Sequence, residues 1–103
     1  MQKAKRLELQ SKFEELLGSR NVYYQPPASV KMAYPAIRYS KMKIDSKYAN
    51  NKKYLNKTLY NVVVIDSTPD NPVIEKLLEL PLSSHDNWYA ADGLNHDVIK
   101  LYY

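Results

Sequence analysis

Leu9, Phe13, Leu16 and Leu17 recur at i, i+4, i+7 and i+8, the spacing of one helical face, and predict an amphipathic helix over residues 2–18. Arg6 and Leu7 flank that stripe, Glu8 and Lys12 form a well-oriented i,i+4 pair, and Gly18 supplies a stop. Residues 21–25 read as a short strand halted by Pro26-Pro27. A second strand is expected over residues 34–43, where Ile37, Tyr39 and the stem of Lys41 alternate with Arg38, Ser40 and Met42. Pro35 marks either an edge or the beginning of that strand. Residues 44–56 lose the apolar rhythm around Asn50-Asn51 and read as a long polar loop or a hairpin tip.

The strongest strand signal is Thr58–Ile65, with three consecutive valines and an isoleucine, and it predicts a position in the centre of a sheet. A turn follows over Asp66–Asp70, then a second helix over residues 72–80, with Asn71 as N-cap, Pro72 at its first position and Pro81 as its stop. Trp88-Tyr89-Ala90, the turn Ala91-Asp92-Gly93 and the strand Val98–Tyr103 complete a hairpin. The order α-β-β-β-α-β-β predicts a single α+β domain over residues 1–103. Its sheet is small, antiparallel or mixed, with two helices packed on one face and a long polar loop or hairpin.

Composition narrows this further. With 103 residues the chain supports one core. Cys is absent, which excludes disulfides, zinc-thiolate sites and cysteine nucleophiles. The longest apolar run is Val62–Ile65, too short to cross a bilayer as a helix, and the basic start MQKAKRLELQ is not followed by an apolar signal core. An intracellular product is the expectation. Only two glycines but ten tyrosines occur, which disfavours phosphate-cradling loops and favours half-buried surfaces with an apolar ring and a polar tip.

Charge is divided unevenly. Residues 31–57 hold Lys31, Arg38, Lys41, Lys43, Lys47, Lys52, Lys53 and Lys57 against Asp45 alone. Residues 58–103 hold Asp66, Asp70, Glu75, Glu79, Asp86, Asp92 and Asp97 against Lys76 and Lys100. Opposed blocks of this kind suit head-to-tail association, with Lys41, Lys43, Lys47, Lys52, Lys53, Lys57, Asp86, Asp92 and Asp97 as assembly contacts. Simple solvation of both blocks explains the pattern equally well. Phosphate contact by the lysines is a further alternative, weakened by the presence of only one Arg in the block.

Catalytic constellations are sparse. His85-Asp86 and His96-Asp97 offer imidazole and carboxylate groups, the ligands of zinc, iron or manganese, but there is no third His. Asp86 and Asp97 serve as well in turn or capping bonds. Asp66 with Glu75-Lys76 lacks the Glu-x-Lys spacing of a magnesium nuclease, and Ser83-Ser84-His85 lacks nucleophile-elbow glycines. Asn56-Lys57-Thr58 matches a glycosylation acceptor only by chance in the absence of a secretory signal. The Tyr and Lys mixture over residues 47–60 has the look of a basic-aromatic surface for single-stranded nucleic acid. No catalytic residue, cofactor or metal is expected.

Tyr34–Ser40, Asp45–Asn50, Tyr60–Asp66, Asp70-Asn-Pro72, Leu80-Pro-Leu82, Tyr89–Val98 and Leu101-Tyr-Tyr103 together resemble small neck proteins of tailed bacteriophages, most closely the tail terminator or tail-completion group. The resemblance covers residues 33–103 and is a composite of short matches. It implies a non-enzymatic virion subunit, assembled in the host cytoplasm, that forms a homo-oligomeric ring, commonly a hexamer, on the head-proximal end of the tail tube. Such a ring stops tube polymerisation, docks the head-tail connector and lets genomic DNA pass through its lumen without sequence recognition. A head-completion or connector ring is the nearest alternative, and a small basic nucleic-acid-binding module is the alternative of a different class. Because phosphates would stick to a basic channel, the lysines of the middle block are expected to lie away from the lumen.

Overall fold

A computed structural model describes residues 2–49 and 52–103, and the side chains of residues 4–44 and 58–103. Helix α1 spans Gln2–Leu17, strand β1 Val22–Tyr24, β2 Ala36–Ala49, β3 Lys52–Asp66, helix α2 Pro72–Leu78, β4 Ser83–Ala91 and β5 Leu94–Tyr102. The strands form one sheet in the order β1-β2-β3-β5-β4. It is mixed, since β1 runs parallel to β2 and all other pairs are antiparallel.

Both helices cover one face. Leu9 and Phe13 of α1 and Val73 and Leu77 of α2 are buried against Ile37, Tyr39, Tyr60, Val62, Val64, Ile99 and Leu101. Alternation along β3 sends Val63 and Ile65 to the opposite face, where they join Val98 and are covered by Met32 and Leu94. Burial on both faces explains the unbroken Val62–Ile65 run and the central place of β3. Tyr39 is wholly buried among rings, 5.1 Å from Phe13, 4.9 Å from Tyr24 and 5.8 Å from Tyr60 between centroids. Its hydroxyl donates to Gln10 Oε1, and the Gln10 amide donates to the Val22 carbonyl at 3.0 Å, so β1 and β2 are both tied to α1. Burial raises the Tyr39 and Tyr60 hydroxyl pKa values above 10.0.

The termini of the elements follow local chemistry. Gly18 ends α1 at φ +79°, with its N–H donating to the Glu14 carbonyl at 2.9 Å. Asn71 caps α2, its Oδ1 accepting from the Val73 N–H at 2.8 Å. Asp92 and Gly93 both have positive φ, 53° and 75°, as a two-residue type I′ hairpin turn demands between β4 and β5.

The structure decides between two alternatives and corrects two element bounds. Residues 44–49 and 52–56 belong to the hairpin rather than to a loop. β2 and β3 continue through Ala49 and from Lys52, with Asp45 opposite Lys57, Lys47 opposite Leu55 and Ala49 opposite Lys52, while Asn50-Asn51 lie outside the described residues. Ladder pairing joins these polar strands, and their sequence carries no hydrophobic period to announce them. β4 begins at Ser83, five residues before Trp88, because an edge strand exposed on both faces needs no alternation. Helix α2 ends at Leu78 rather than Leu80, and the Glu79 N–H closes its last turn onto the Glu75 carbonyl at 3.1 Å.

Candidate functional site

The extended strands give the molecule its shape. The fifteen residues of β3, at about 3.3 Å each, account for a long axis of 51 Å beside widths of 25 and 22 Å. β5 accompanies β3 only from Asp66 to Leu59, with one further pair of bonds between Thr58 and Tyr103. β1 accompanies β2 only over residues 37–39. Beyond these points the ladder continues between residues 45–49 and 52–57, which form a two-stranded arm at one end of the sheet. Two register shifts, between Lys41 and Lys43 and between Lys47 and Tyr48, place an extra residue first on β2 and then on β3. Bulges of this kind add local twist.

The basic residues selected from the sequence fall on this arm and its root. Lys41 and Lys43 are exposed on β2, and Lys47, Lys52, Lys53 and Lys57 occupy strand positions within the arm. The side chains of those last four lie outside the described set.

The three acidic positions are not brought together. Asp92 sits in the β4–β5 turn, at the end of the sheet opposite the arm. Asp86 is the extra residue between His85 and Asn87 on β4, and its carboxylate lies 3.9 Å from Lys100 Nζ on the face away from the helices. Lys100 also donates to Asn61 Oδ1 at 3.0 Å. Asp97 faces the helices and meets His85 Nε2 at 3.1 Å. An open hollow of about 340 Å³ separates Asp97 from the first turn of α2, lined also by Asp70 and Glu75, and it adjoins a second that includes Trp88.

His85 and His96 cannot share an ion. His85 lies opposite Ile99 on the helix-covered face, whereas His96 lies opposite Ile65 on the other face and stacks on Tyr89 at 4.6 Å. Among the described residues no three His, Asp or Glu side chains cluster as metal ligands. Asp66 is similarly committed to structure. Burial opposes its ionisation, but hydrogen bonds from the Asn71 amide, the Thr68 hydroxyl and the Ser67 N–H outweigh this and hold its pKa below 3.8.

The residue that sequence reasoning undervalued is Trp88. It is the only Trp in the chain, and 62% of its surface is exposed on the outer strand. β4 has no neighbour on its outer side, so a nine-residue strand presents a free row of backbone donors and acceptors beside that indole. The signal available in sequence was the polar run Ser83–Asn87 leading straight into Trp88-Tyr89.

No protein-family model, curated protein or solved structure matches this chain. No described helix is long and apolar enough to cross a membrane.

Proposed function

We propose that this chain is a non-enzymatic structural subunit of a tailed-phage neck, a tail terminator that closes into a ring on the head-proximal end of the tail tube. In this reading the ring stops tube growth, offers its upper surface to the head-tail connector and passes genomic DNA through its lumen. It works in the virion after assembly in the host cytoplasm. The observation that carries the reading is the basic arm, a strand pair whose ladder continues past the reach of β1 and β5 and leaves a well-packed α+β body. Such an arm does little for the stability of its own body and is suited to grip a neighbour or a tube subunit. The composite resemblance over residues 33–103 supplies the identity of the assembly.

Purified tails lacking their terminator provide the test. The wild-type chain is expected to bind one end of each tail and to block further addition of tube protein in vitro. Electron microscopy that finds it along the tube wall, on connector rings alone or nowhere would overturn the terminator reading. The lysines could also serve a nucleic-acid module. In that case binding to oligonucleotides would fall steeply with salt, whereas tail binding retains an apolar component.

A further inference from the structure

We propose that the sheet face away from the helices carries a binding site for a phosphate dianion, free or as a monoester, in the open hollow beside Arg38, Ser40 and Asn61. The inference goes beyond the neck reading and does not depend on it.

Register builds the floor of the hollow. Ser40 lies opposite Asn61 and Arg38 opposite Val63, so these four side chains share the face on which Val63 joins Ile65 and Val98. The chain leaving β1 supplies a wall. There Gln25 takes a positive φ of 43° and donates its N–H to the Tyr39 carbonyl at 2.9 Å. With Pro26, these residues border a space of about 300 Å³.

The polar side chains around that space have donors left to offer. Gln25 Oε1 accepts the Lys41 N–H at 3.0 Å, which leaves the Gln25 amide NH2 for a ligand. Asn61 Oδ1 accepts from Lys100 Nζ at 3.0 Å, which leaves the Asn61 NH2 in the same way. Ser40 adds a hydroxyl. The Arg38 guanidinium is half-buried, and among the described residues it has no hydrogen-bond or ion-pair partner. Lys100 already faces Asp86 at 3.9 Å, so Arg38 is the cation of the site. Among the described residues no Asp or Glu lines the hollow.

A half-buried cation ringed by donors, with the amide oxygens engaged elsewhere, is a site for an oxyanion. The number of oxygens selects which one. A carboxylate or a phosphodiester presents two charged oxygens, whereas a phosphate dianion presents three. The planar guanidinium takes two of them side by side. The third then meets donors that come from other directions, since Ser40 stands on β2, Asn61 on β3 and Gln25 in the loop after β1.

The test is a titration of the isotope-labelled full chain, followed by amide NMR slightly above neutral pH, with ionic strength held constant by chloride. Sodium phosphate is expected to give saturable shifts at the side-chain amides of Gln25 and Asn61 and at the backbone of Arg38 and Ser40. O-phosphoserine is expected to do the same, while acetate and dimethyl phosphate bind at least about tenfold more weakly. Asn61→Asp keeps the shape and the acceptor for Lys100 but replaces the donor with a negative charge. That variant and Arg38→Gln, with circular dichroism confirming their folds, are each expected to lose at least about tenfold in phosphate affinity. Lys76→Gln, on the opposite side of the sheet, lowers net charge by the same amount as Asn61→Asp and is expected to bind like wild type. Tighter binding of O-phosphoserine than of phosphate supports a monoester ligand, and the reverse order supports the free ion. Shifts that do not saturate mark an adventitious ion only and overturn the site. Variants that bind like wild type, or acetate or dimethyl phosphate binding as tightly as phosphate, overturn it as well.

Discussion

The hydroxyl of Tyr103 donates a 2.6 Å hydrogen bond to Glu8 Oε1, fastening the residue that follows β5 to the side of α1. The same residue exchanges both backbone bonds with Thr58, at 3.0 and 3.1 Å. Its phenol is therefore held where the sheet ends and the arm begins. The bond to the carboxylate, followed by partial burial and charge repulsion, raises its pKa to about 12.

The phenol must stay protonated to donate, so the native state favours its neutral form. Its contribution to stability is full below 10.0, the ordinary value, and is lost as pH rises through about 12. Tyr103→Phe is expected to cost roughly 0.5–1 kcal/mol at neutral pH, since the bond is solvent-exposed and screened. Thermal unfolding of both proteins across that range is the measurement. A difference that does not shrink as pH climbs would refute the role of this bond.

Asn71 joins two tasks, since its Oδ1 caps α2 while its amide donates to Asp66 Oδ2 at 2.8 Å. Asn71→Ala is expected to destabilise by about 1–2 kcal/mol, the upper range of a lost cap. With Asp66→Ala it should show a coupling of at least about 0.5 kcal/mol in a double-mutant cycle. The Asp66 pKa is lowered on folding, so its contribution is present above 3.8 and lost as pH falls through the lower native value. Denaturant midpoints at neutral and acid pH give both readings.

Phe13 is fully buried and meets the edge of Tyr39. Phe13→Ala is expected to cost about 3–5 kcal/mol, through lost transfer energy and the cavity left behind, and Phe13→Leu much less. Equilibrium unfolding would show whether α1 contributes to the core to that degree. A loss below about 1 kcal/mol would mean that α1 contributes little to native stability.

Gly93→Ala tests the β4–β5 turn. A Cβ there meets no atom within 4 Å, so only the positive φ of 75° opposes it. The expected cost is about 1–2 kcal/mol, with circular dichroism and the Trp88 emission of the monomer unchanged.

Charge reversal at Lys52 and Lys53 addresses function rather than folding. Both occupy the far part of the arm, opposite Ala49 and Tyr48. Lys52→Glu/Lys53→Glu is expected to leave the unfolding midpoint within about 0.5 kcal/mol of wild type while impairing attachment to tails. Wild-type attachment by this variant would remove the arm from the proposed mechanism.

The parts of the fold legible in the sequence are those where burial writes a period. The Leu9–Phe13 stripe, the valines of β3, the Asn71 cap and the Asp92-Gly93 turn each state their conformation through side chains. The arm and the first half of β4 do not, because their polar runs carry no period and their strand form depends on ladder partners. The parallel pairing of β1 with β2 was equally silent, since the alternation of three residues carries no direction. Of the candidate site, the lysine block was readable as charge. The scattering of its acidic counterparts over β4, β5 and their turn, and the exposure of Trp88, depend on register and on strand order.

The strand order has a kinetic meaning as well. β2 with β3, and β4 with β5, are neighbours in sequence and pair antiparallel, so each hairpin is expected to form within microseconds. The β3–β5 seam is different. Its tightest approach, Asp66 against Asn95, must gather in α2 and β4 as one closed loop, and the opposite end at Leu59 and Tyr102 spans still more chain. Closure entropy is therefore concentrated at that seam, where Val63 of one hairpin faces Val98 of the other. The joining of two preformed hairpins along this line, rather than the making of either, is expected to set the pace at which the protein reaches its native state.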